Sequence, residues 1–470
     1  MEAGWDASKA VRDVDVGCRT ATTISTTQHQ KVMATSSNQA QNGPATPVYI
    51  LRGHGAPVHA LNIFHQNLRL VSGDANGWIV IWDLVTKRPI IVWKAHEGAV
   101  LEVKGFTDEK GVTELYTHGR DHKLCVWKIR PEDEKHLDKT LPVDVTESDS
   151  AERRAQPWLL HSLPVNALNF CAFSMTTIYG TEATSEKSQN KTDLPKTTLF
   201  AVPNALDSGG VDIFHLPSER RLSTIPSDPA VKTGMVMAAN IFVASGDLYV
   251  ASAYEDGHVM VSVHRGPITA ADFELSNIAA KPWKWERIYA SRPHSQPVLS
   301  IDVSSALDYF ISSSADALII KHPIPGHGTI GDVPIVNYKE ETPLKTVNTK
   351  HSGQQGLKLR DDGKIFAAAG WDSRVRVYSG KTMKEVAVLK WHKDGCYSVA
   401  FGEVAGLSSL CSRHGDQEID TTQGNDEEQL AQSSDYSLAA VQRQRNQKIK
   451  QTHWLAAGSK DGKISLWDIY

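Results

Sequence analysis

At 470 residues, with 50 Lys and Arg against 54 Asp and Glu, the chain carries a formal charge of −4, and so lacks the basic field that sequence-wide nucleic-acid binding needs. No apolar run approaches the roughly 18–20 residues of a membrane span, and the N-terminus lacks the compact apolar core of a secretory signal. The five cysteines (Cys18, Cys125, Cys171, Cys396 and Cys411) are odd in number and scattered, which suits a reducing compartment and neither a disulfide framework nor a zinc site.

Residues 1–46 are rich in Ser, Thr and Gln without periodicity and are expected to form a disordered tail. Pro47-Val48-Tyr49-Ile50-Leu51 then reads as a short strand entering a Gly53-His54 loop. Asp74-Ala75-Asn76-Gly77 makes a tight turn into the alternating strand Trp78-Ile79-Val80-Ile81-Trp82-Asp83. The chain's last residues, Lys460-Asp461-Gly462-Lys463-Ile464-Ser465-Leu466-Trp467-Asp468, repeat that phrase.

A turn leading into a strand that closes on Trp-Asp is the third strand of a WD-repeat propeller blade. Each repeat runs through a His loop, strand a, strand b with a small hydroxyl, a turn with Asp, strand c ending in Trp, and an outer strand d. The His bonds the Asp and the hydroxyl, and the hydroxyl bonds the Trp indole, so the polar groups can be buried.

Repeat one has His54, Ser72, Asn76 and Trp82. Repeat two has the complete set: His96, Thr117, Asp121 and Trp127. Repeat three keeps His161, with Ser208 at the Asp position and Phe214 at the Trp position. Repeat four has no loop His near Lys232-Thr233-Gly234; it keeps Ser252 and Asp256, and Ser262 replaces Trp. Repeat five has His294, Ser312, Asp316 and His322. Repeat six has His351, Ala368, Asp372 and Tyr378, and repeat seven has His392, Ala457, Asp461 and Trp467. The Trp371-Asp372 pair falls in the b–c turn of repeat six, not at a strand end.

The fold expected is all-β, a seven-bladed WD40 propeller over residues 47–470. The strand at 47–51 has no a, b or c before it, and repeat seven stops after strand c. The two should pair beside residues 464–468 and close the ring. Insertions are expected at about 131–156, 174–196, 265–284, 323–343 and 403–450, all in a–b or c–d connections and so all emerging from one face. Within 403–450 a helix is possible over 427–450, either in a solvated loop or as a partner-docking element.

A His at the same repeat position in six of the seven blades (His54, His96, His161, His294, His351 and His392) argues for a structural role, because such residues stand around a ring and do not converge. His118 and His122 read as a b–c turn pair without the carboxylates of a metal site. Gly209-Gly210 reads as a turn, and no phosphate-cradling loop or nucleophile elbow is present. No catalytic, metal or cofactor residue is expected. The compact face, made of b–c turns and d–a loops, should present Trp78, Arg120, Lys123, Trp371, Arg374, Lys460 and Lys463. Arg and Trp on one rim are the composition of an interface.

The run from Pro47 to His54, the segment Leu70 to Asp83, Ala95-His96-Glu97-Gly98, Thr117-His118-Gly119-Arg120-Asp121, Ala369-Gly370-Trp371-Asp372-Ser373-Arg374 and Ala457 to Gly462 together resemble the fungal ASTRA-associated protein 1 family. The resemblance spans nearly all of 47–470 and is most specific in the first and last blades. It implies a non-enzymatic nuclear scaffold, with the cytoplasm as a second location, in an assembly linked to chromatin remodelling. It further implies partners of three kinds: co-chaperones, AAA+ ATPases and kinases related to phosphatidylinositol 3-kinase. Neither nucleic acid nor a membrane is an expected partner. Three rival readings remain: a signalling propeller like a G-protein beta subunit, against which the lack of heptads in 1–46 counts, a histone-tail reader, which would need an acidic or aromatic-lined channel mouth, and an enzymatic propeller, which would need a convergent pair of carboxylates or three His at one central mouth.

Overall fold

The computed structural model describes residues 45–469 apart from 145–153, 167–169, 179–196, 267, 269–271, 274–282, 327–341 and 405–437. The expected tail, residues 427–437 and most of the insertions' interiors therefore lie outside the described residues.

Seven four-stranded antiparallel sheets form a ring. Blade one holds β2 (Val58–Phe64), β3 (Arg69–Asp74), β4 (Trp78–Asp83) and β5 (Arg88–Lys94). Blade two holds β6 (Val100–Thr107), β7 (Thr113–Gly119), β8 (Lys123–Ile129) and β9 (Trp158–Pro164). Blade three holds β10 (Ser174–Ile178), β11 (Thr197–Pro203), β12 (Val211–Leu216) and β13 (Arg220–Ile225). Blade four holds β14 (Val236–Ala244), β15 (Asp247–Tyr254), β16 (Val259–His264) and β17 (Glu286–Ser291). Blade five holds β18 (Val298–Val303), β19 (Tyr309–Ser314), β20 (Leu318–Pro323) and β21 (Lys345–Asn348). Blade six holds β22 (Gln354–Leu359), β23 (Ile365–Gly370), β24 (Val375–Ser379) and β25 (Glu385–Leu389). Blade seven holds β26 (Cys396–Phe401), β27 (Trp454–Ser459), β28 (Ile464–Asp468) and the early strand β1 (Tyr49–Leu51).

The ring closes as the sequence implies. Tyr49, Ile50 and Leu51 pair with Leu466, Ser465 and Ile464, and the Val48 N–H donates to the Leu466 carbonyl at 2.7 Å. Apolar side chains from neighbouring sheets interdigitate, so the core lies between blades. One cluster joins Leu61, Val80 and Trp82 of blade one to Trp454, Ala456 and Leu466 of blade seven. Another joins Ile79, Ile81 and Trp93 to Val103, Leu115 and Trp127 of blade two. This shared burial lets a blade with an incomplete polar network persist between stronger ones.

The networks match the expected pattern in blades two and five; in blade one Asp74, not Asn76, pairs with the loop His, and the Asn76 N–H donates to Asp74 Oδ1 at 2.9 Å. His54 Nδ1 lies 2.8 Å from Asp74 and Nε2 2.7 Å from Ser72, whose Oγ accepts from Trp82 Nε1 at 2.8 Å. His96, Asp121, Thr117 and Trp127 repeat this at 2.8–2.9 Å. Although burial opposes it, the His96 contact holds the Asp121 carboxyl below its ordinary value. In blade five His322 stands in for Trp: Ser312 Oγ lies 2.8 Å from both His294 and His322, and Tyr289 OH lies 2.9 Å from His322 Nδ1. One proton assignment satisfies that chain, with Tyr289 donating to His322, His322 to Ser312, Ser312 to His294 and His294 to Asp316.

Several expectations need correction. His161 is not a loop residue of blade three. It sits in outer strand β9 with Nδ1 2.7 Å from Glu219. Strand a of blade three is β10, which occupies the first five residues assigned to an insertion, and Asp207, not Ser208, binds its turn through the Gly209 and Ser227 amides. In blade six His351 is solvent-facing, 3.5 Å from Asp372, because Arg376 takes that carboxylate with two hydrogen bonds of 3.1 and 2.5 Å. In blade seven His392 Nδ1 lies 3.9 Å from Asp461, beyond hydrogen-bond length, and Asp461 instead binds Lys463 at 2.6 Å. His118 is fully buried in β7 and not in a turn; burial pushes it down to about 3.

The insertions leave from the a–b and c–d ends, but the one after β8 does not stay there. Glu134 binds Arg69 at 3.2 Å, the Val92 N–H of β5 donates to the Asp138 carbonyl at 2.8 Å, and the Val143 N–H donates to Gly53 at 2.9 Å. The segment thus crosses the rim of blade one and reaches the compact face. Leu141 packs so closely on Gly53 that a Cβ there would lie 2.6 Å from it. Helix α1 (Leu438–Gln451) lies in the connection before β27 with no buried residue. Among the described residues no helix is long and apolar enough to cross a membrane.

Candidate partner-binding face

The compact face is built from a repeated irregularity. In six blades the register of the innermost strand slips by one residue at its start, leaving His59, Leu101, Met237, Leu299, Gln355 and Tyr397 outside the ladder. A bulge of this kind turns a side chain away from its sheet. All six are half-buried, and the strands that carry them pack side by side around the ring's centre. His59 of blade one and Tyr397 of blade seven stack face to face, with ring centroids 5.3 Å apart and planes 3° from parallel. Burial lowers the His59 pKa, with Arg120 acting in the same direction and Asp74 against it, so its ring is neutral near pH 7.

Trp371 stands beside this pair. It is 48% exposed, and its indole Nε1 donates to Gln355 Oε1 at 2.7 Å. Its ring lies over Gly353, where a Cβ would come within 2.1 Å and φ is +78°, so only glycine lets the indole settle there. Arg120 is exposed on blade two, with its guanidinium 4.6 Å from the centroid of the Phe170 ring, itself 62% exposed. A cation held over an aromatic face is a defined contact. Lys123 and Lys460 are also exposed.

The remaining expected residues are engaged elsewhere. Arg374 is half-buried and binds the His392 carbonyl at 3.3 Å, linking blades six and seven. Lys463 is neutralised by Asp461. Trp78 is only 9% exposed. It belongs to the core between blades one and seven, capped by Arg154 at 5.2 Å from the ring. His59, Gln355, Tyr397 and Phe170 were not picked out from the sequence. The signal that could have found the first three is their shared place, directly after the d–a loop and one residue into strand a.

Deeper toward the a–b end, innermost strands carry paired charges. Lys358 Nζ lies 3.4 Å from Asp302 and Lys104 4.0 Å from Glu102. Asp302 raises the Lys358 pKa, while burial lowers that of Lys104. Among the described residues no group of three His, Cys, Asp or Glu is placed to hold a metal ion. His54, His96, His294 and His392 are each engaged within their own blade.

A family model described as ASTRA-associated protein 1 matches residues 47–467, which is the whole ring. The chain belongs to the ASTRA-associated protein 1 family. A Penicillium rubens member is 68% identical over 93% of this chain and all of the relative. An Aspergillus flavus member is 60% identical over 91% of this chain and 98% of the relative. A Schizosaccharomyces pombe member is 32% identical over 78% and 96%. The shared stretch in the family is therefore a propeller, and the compact face just described is a feature of this member's ring.

Proposed function

We propose that the chain is a non-catalytic scaffold subunit of an ASTRA-type nuclear assembly. In this reading it contributes to chromatin remodelling and to assembly of phosphatidylinositol-3-kinase-related kinases, and it contacts co-chaperone, AAA+ ATPase and kinase-family subunits. The relatives' name, which ties them to ASTRA, supports the assembly. The observation that carries the binding role is Trp371. A half-exposed indole, held by one hydrogen bond beside the His59–Tyr397 stack, is a rigid anchor of the type that dominates protein interfaces. Lys123 and Lys460 are rim charges that steer association, while Arg374 and Lys463 keep the face rigid.

The test is quantitative affinity purification of the full tagged chain from nuclear extract, comparing wild type with Trp371→Ala, Arg120→Glu and Lys460→Glu. Recovery of at least one named subunit class should fall by about tenfold in Trp371→Ala, the cost of losing roughly 1.4 kcal/mol at a hot spot. Unchanged recovery of every subunit by all three variants removes this face as a docking site. Failure of the wild type to recover any such subunit removes the assembly itself.

A further inference from the structure

Outer strand β9 differs from the other outer strands in exposing three large apolar residues in succession. Exposed positions on β5, β13, β17 and β21 are Arg88, Arg220, Arg221, Glu286, Lys345, Thr346 and Asn348, while β25 exposes Glu385 and a single Val386 and β1 a single Tyr49. Charged and polar residues of this kind keep a free edge from recruiting other chains. β9 instead exposes Trp158, Leu159 and Leu160 in succession, at 72%, 45% and 36%. A contiguous apolar patch rimmed by polar groups marks an interaction surface.

Among the described residues no strand pairs with the outer edge of β9. The Val165 N–H donates to the His122 carbonyl at 3.0 Å, and Leu163, Ser162 and His161 pair in turn with Leu124, Cys125 and Val126. Antiparallel pairs alternate between bonded and non-bonded, so Leu163 and His161 turn their amides toward β8 while Ser162 turns its N–H and C=O outward. At the strand's other end a cleft of about 550 Å³ is lined by Asp133, His136, Leu137, Pro157, Trp158 and Leu159.

The neighbouring blade shows what kind of chain covers such an edge. Along β5 an extended stretch of this same polypeptide accepts a backbone hydrogen bond from Val92 through Asp138 and buries Leu137 among Ile90, Ile91 and Trp93. The cleft beside Trp158 begins on that covering segment, so the two surfaces are continuous. We propose that β9 receives an extended segment of a partner polypeptide as a fifth strand of blade two, bonded at Ser162 and placing an aliphatic side chain in the cleft. Six residues spanning about 20 Å would reach from one end to the other. Backbone bonds supply affinity in this mode and the cleft supplies selection. The surface is distinct from the Trp371 face.

The test uses the full chain in its native cells, with Trp158→p-benzoylphenylalanine as a photo-crosslinker and Val386→p-benzoylphenylalanine on β25 as the control. The crosslinked partner peptide is sequenced, synthesised and titrated against the purified chain. The expected peptide has no Pro in its central residues and carries Leu, Ile, Val or Met. Ser162→Pro, which removes an outward N–H on an edge strand and the long 3.9 Å hydroxyl contact to Cys125 Sγ, should weaken it by about tenfold or more, as loss of a backbone bond with added steric blockage implies. Leu160→Lys should weaken it similarly, and Trp371→Ala should leave it unchanged. Should Ser162→Pro lower the thermal midpoint, Leu160→Lys decides. A crosslink no stronger than at Val386, a crosslink only to a second copy of this chain, or peptide affinity within about twofold of wild type in the deciding variant would overturn the proposal.

Discussion

Replacing Ser465 by Ala isolates the polar network of blade seven. Ser465 Oγ lies 2.8 Å from His392 Nε2 and accepts from Trp467 Nε1 at 2.8 Å, and all three residues are at least 96% buried. Deleting the hydroxyl strands an indole N–H and an imidazole nitrogen where water does not reach. Each such orphan costs about 1–3 kcal/mol, so the variant should lose about 2–6 kcal/mol. Ala457 stands directly opposite Ser465 in the ladder and occupies the place Ser72 holds in blade one, between Leu61 and Val80. The double variant Ala457→Ser/Ser465→Ala moves the oxygen across the strand pair with no net change in atoms and should recover most of the loss. Urea unfolding followed by Trp fluorescence and far-UV circular dichroism reads both. A Ser465→Ala chain within about 0.5 kcal/mol of wild type would show that the hydroxyl is not satisfying those groups. A double variant no better than the single one would show that the site accepts the oxygen from only one strand.

Arg376→Ala should cost about 2–3 kcal/mol by the same unfolding assay, because it removes two charge-assisted hydrogen bonds to Asp372 from a 4%-exposed side chain. Asn67 staples the a–b turn of blade one to blade seven by donating to the Glu403 and Lys450 carbonyls at 2.8 and 3.0 Å and accepting from the Glu403 N–H at 2.7 Å. Asn67→Ala should cost about 2–4 kcal/mol and speed amide exchange across α1, as measured by hydrogen–deuterium exchange. Stability should fall as pH drops from about 6.5 toward 3, since burial holds His118 and His322 at about 3 in the fold while the unfolded chain takes up protons from its ordinary imidazole range. The lowered carboxyls of Asp121 and Asp316 add a loss in the same direction as pH falls through the carboxylate range. Thermal midpoints across this range should show a shallower slope in His118→Phe, whose ring would lie beside Phe173.

Blade two was legible because every member of its network is the expected residue type, blade one was legible except that Asp74 and not Asn76 serves His54, and closure was legible because a lone strand at one end and a missing strand at the other imply each other. Blade three was misread at His161. A histidine before an apolar run looks the same whether it ends a loop or lies in an outer strand, and only the pairing of β9 with β8 separates the two. The face was legible in part for a similar reason. Trp78 and Trp371 both flank a b–c turn, yet one is buried and the other half-exposed. The difference is made by Arg154 and Leu141, which arrive from an insertion that crosses the rim, and no local pattern in the sequence records that path.

The incomplete networks follow a rule that was present in the sequence but needed the register to be seen. Where strand b carries a hydroxyl (Ser72, Thr117, Ser252 or Ser312), the residue opposite on strand c is Val80, Cys125, Met260 or Ile320. Where strand b has lost it, at Val202, Ala368 and Ala457, the opposite residue is Asp212, Arg376 or Ser465. Each of those three binds buried or half-buried partners: Asp212 accepts from Asn204 and Thr224, Arg376 donates to Asp372, and Ser465 serves His392 and Trp467. A cross-strand pair places both side chains on one face of the sheet within about 5.5 Å, so either strand can deliver a polar atom to the same interior point. What the blade requires is one polar group at that point, because the groups around it are desolvated whichever strand supplies it. Three blades that look degenerate when read residue by residue are therefore complete when read as cross-strand pairs, and the ring has no blade that lacks a polar centre.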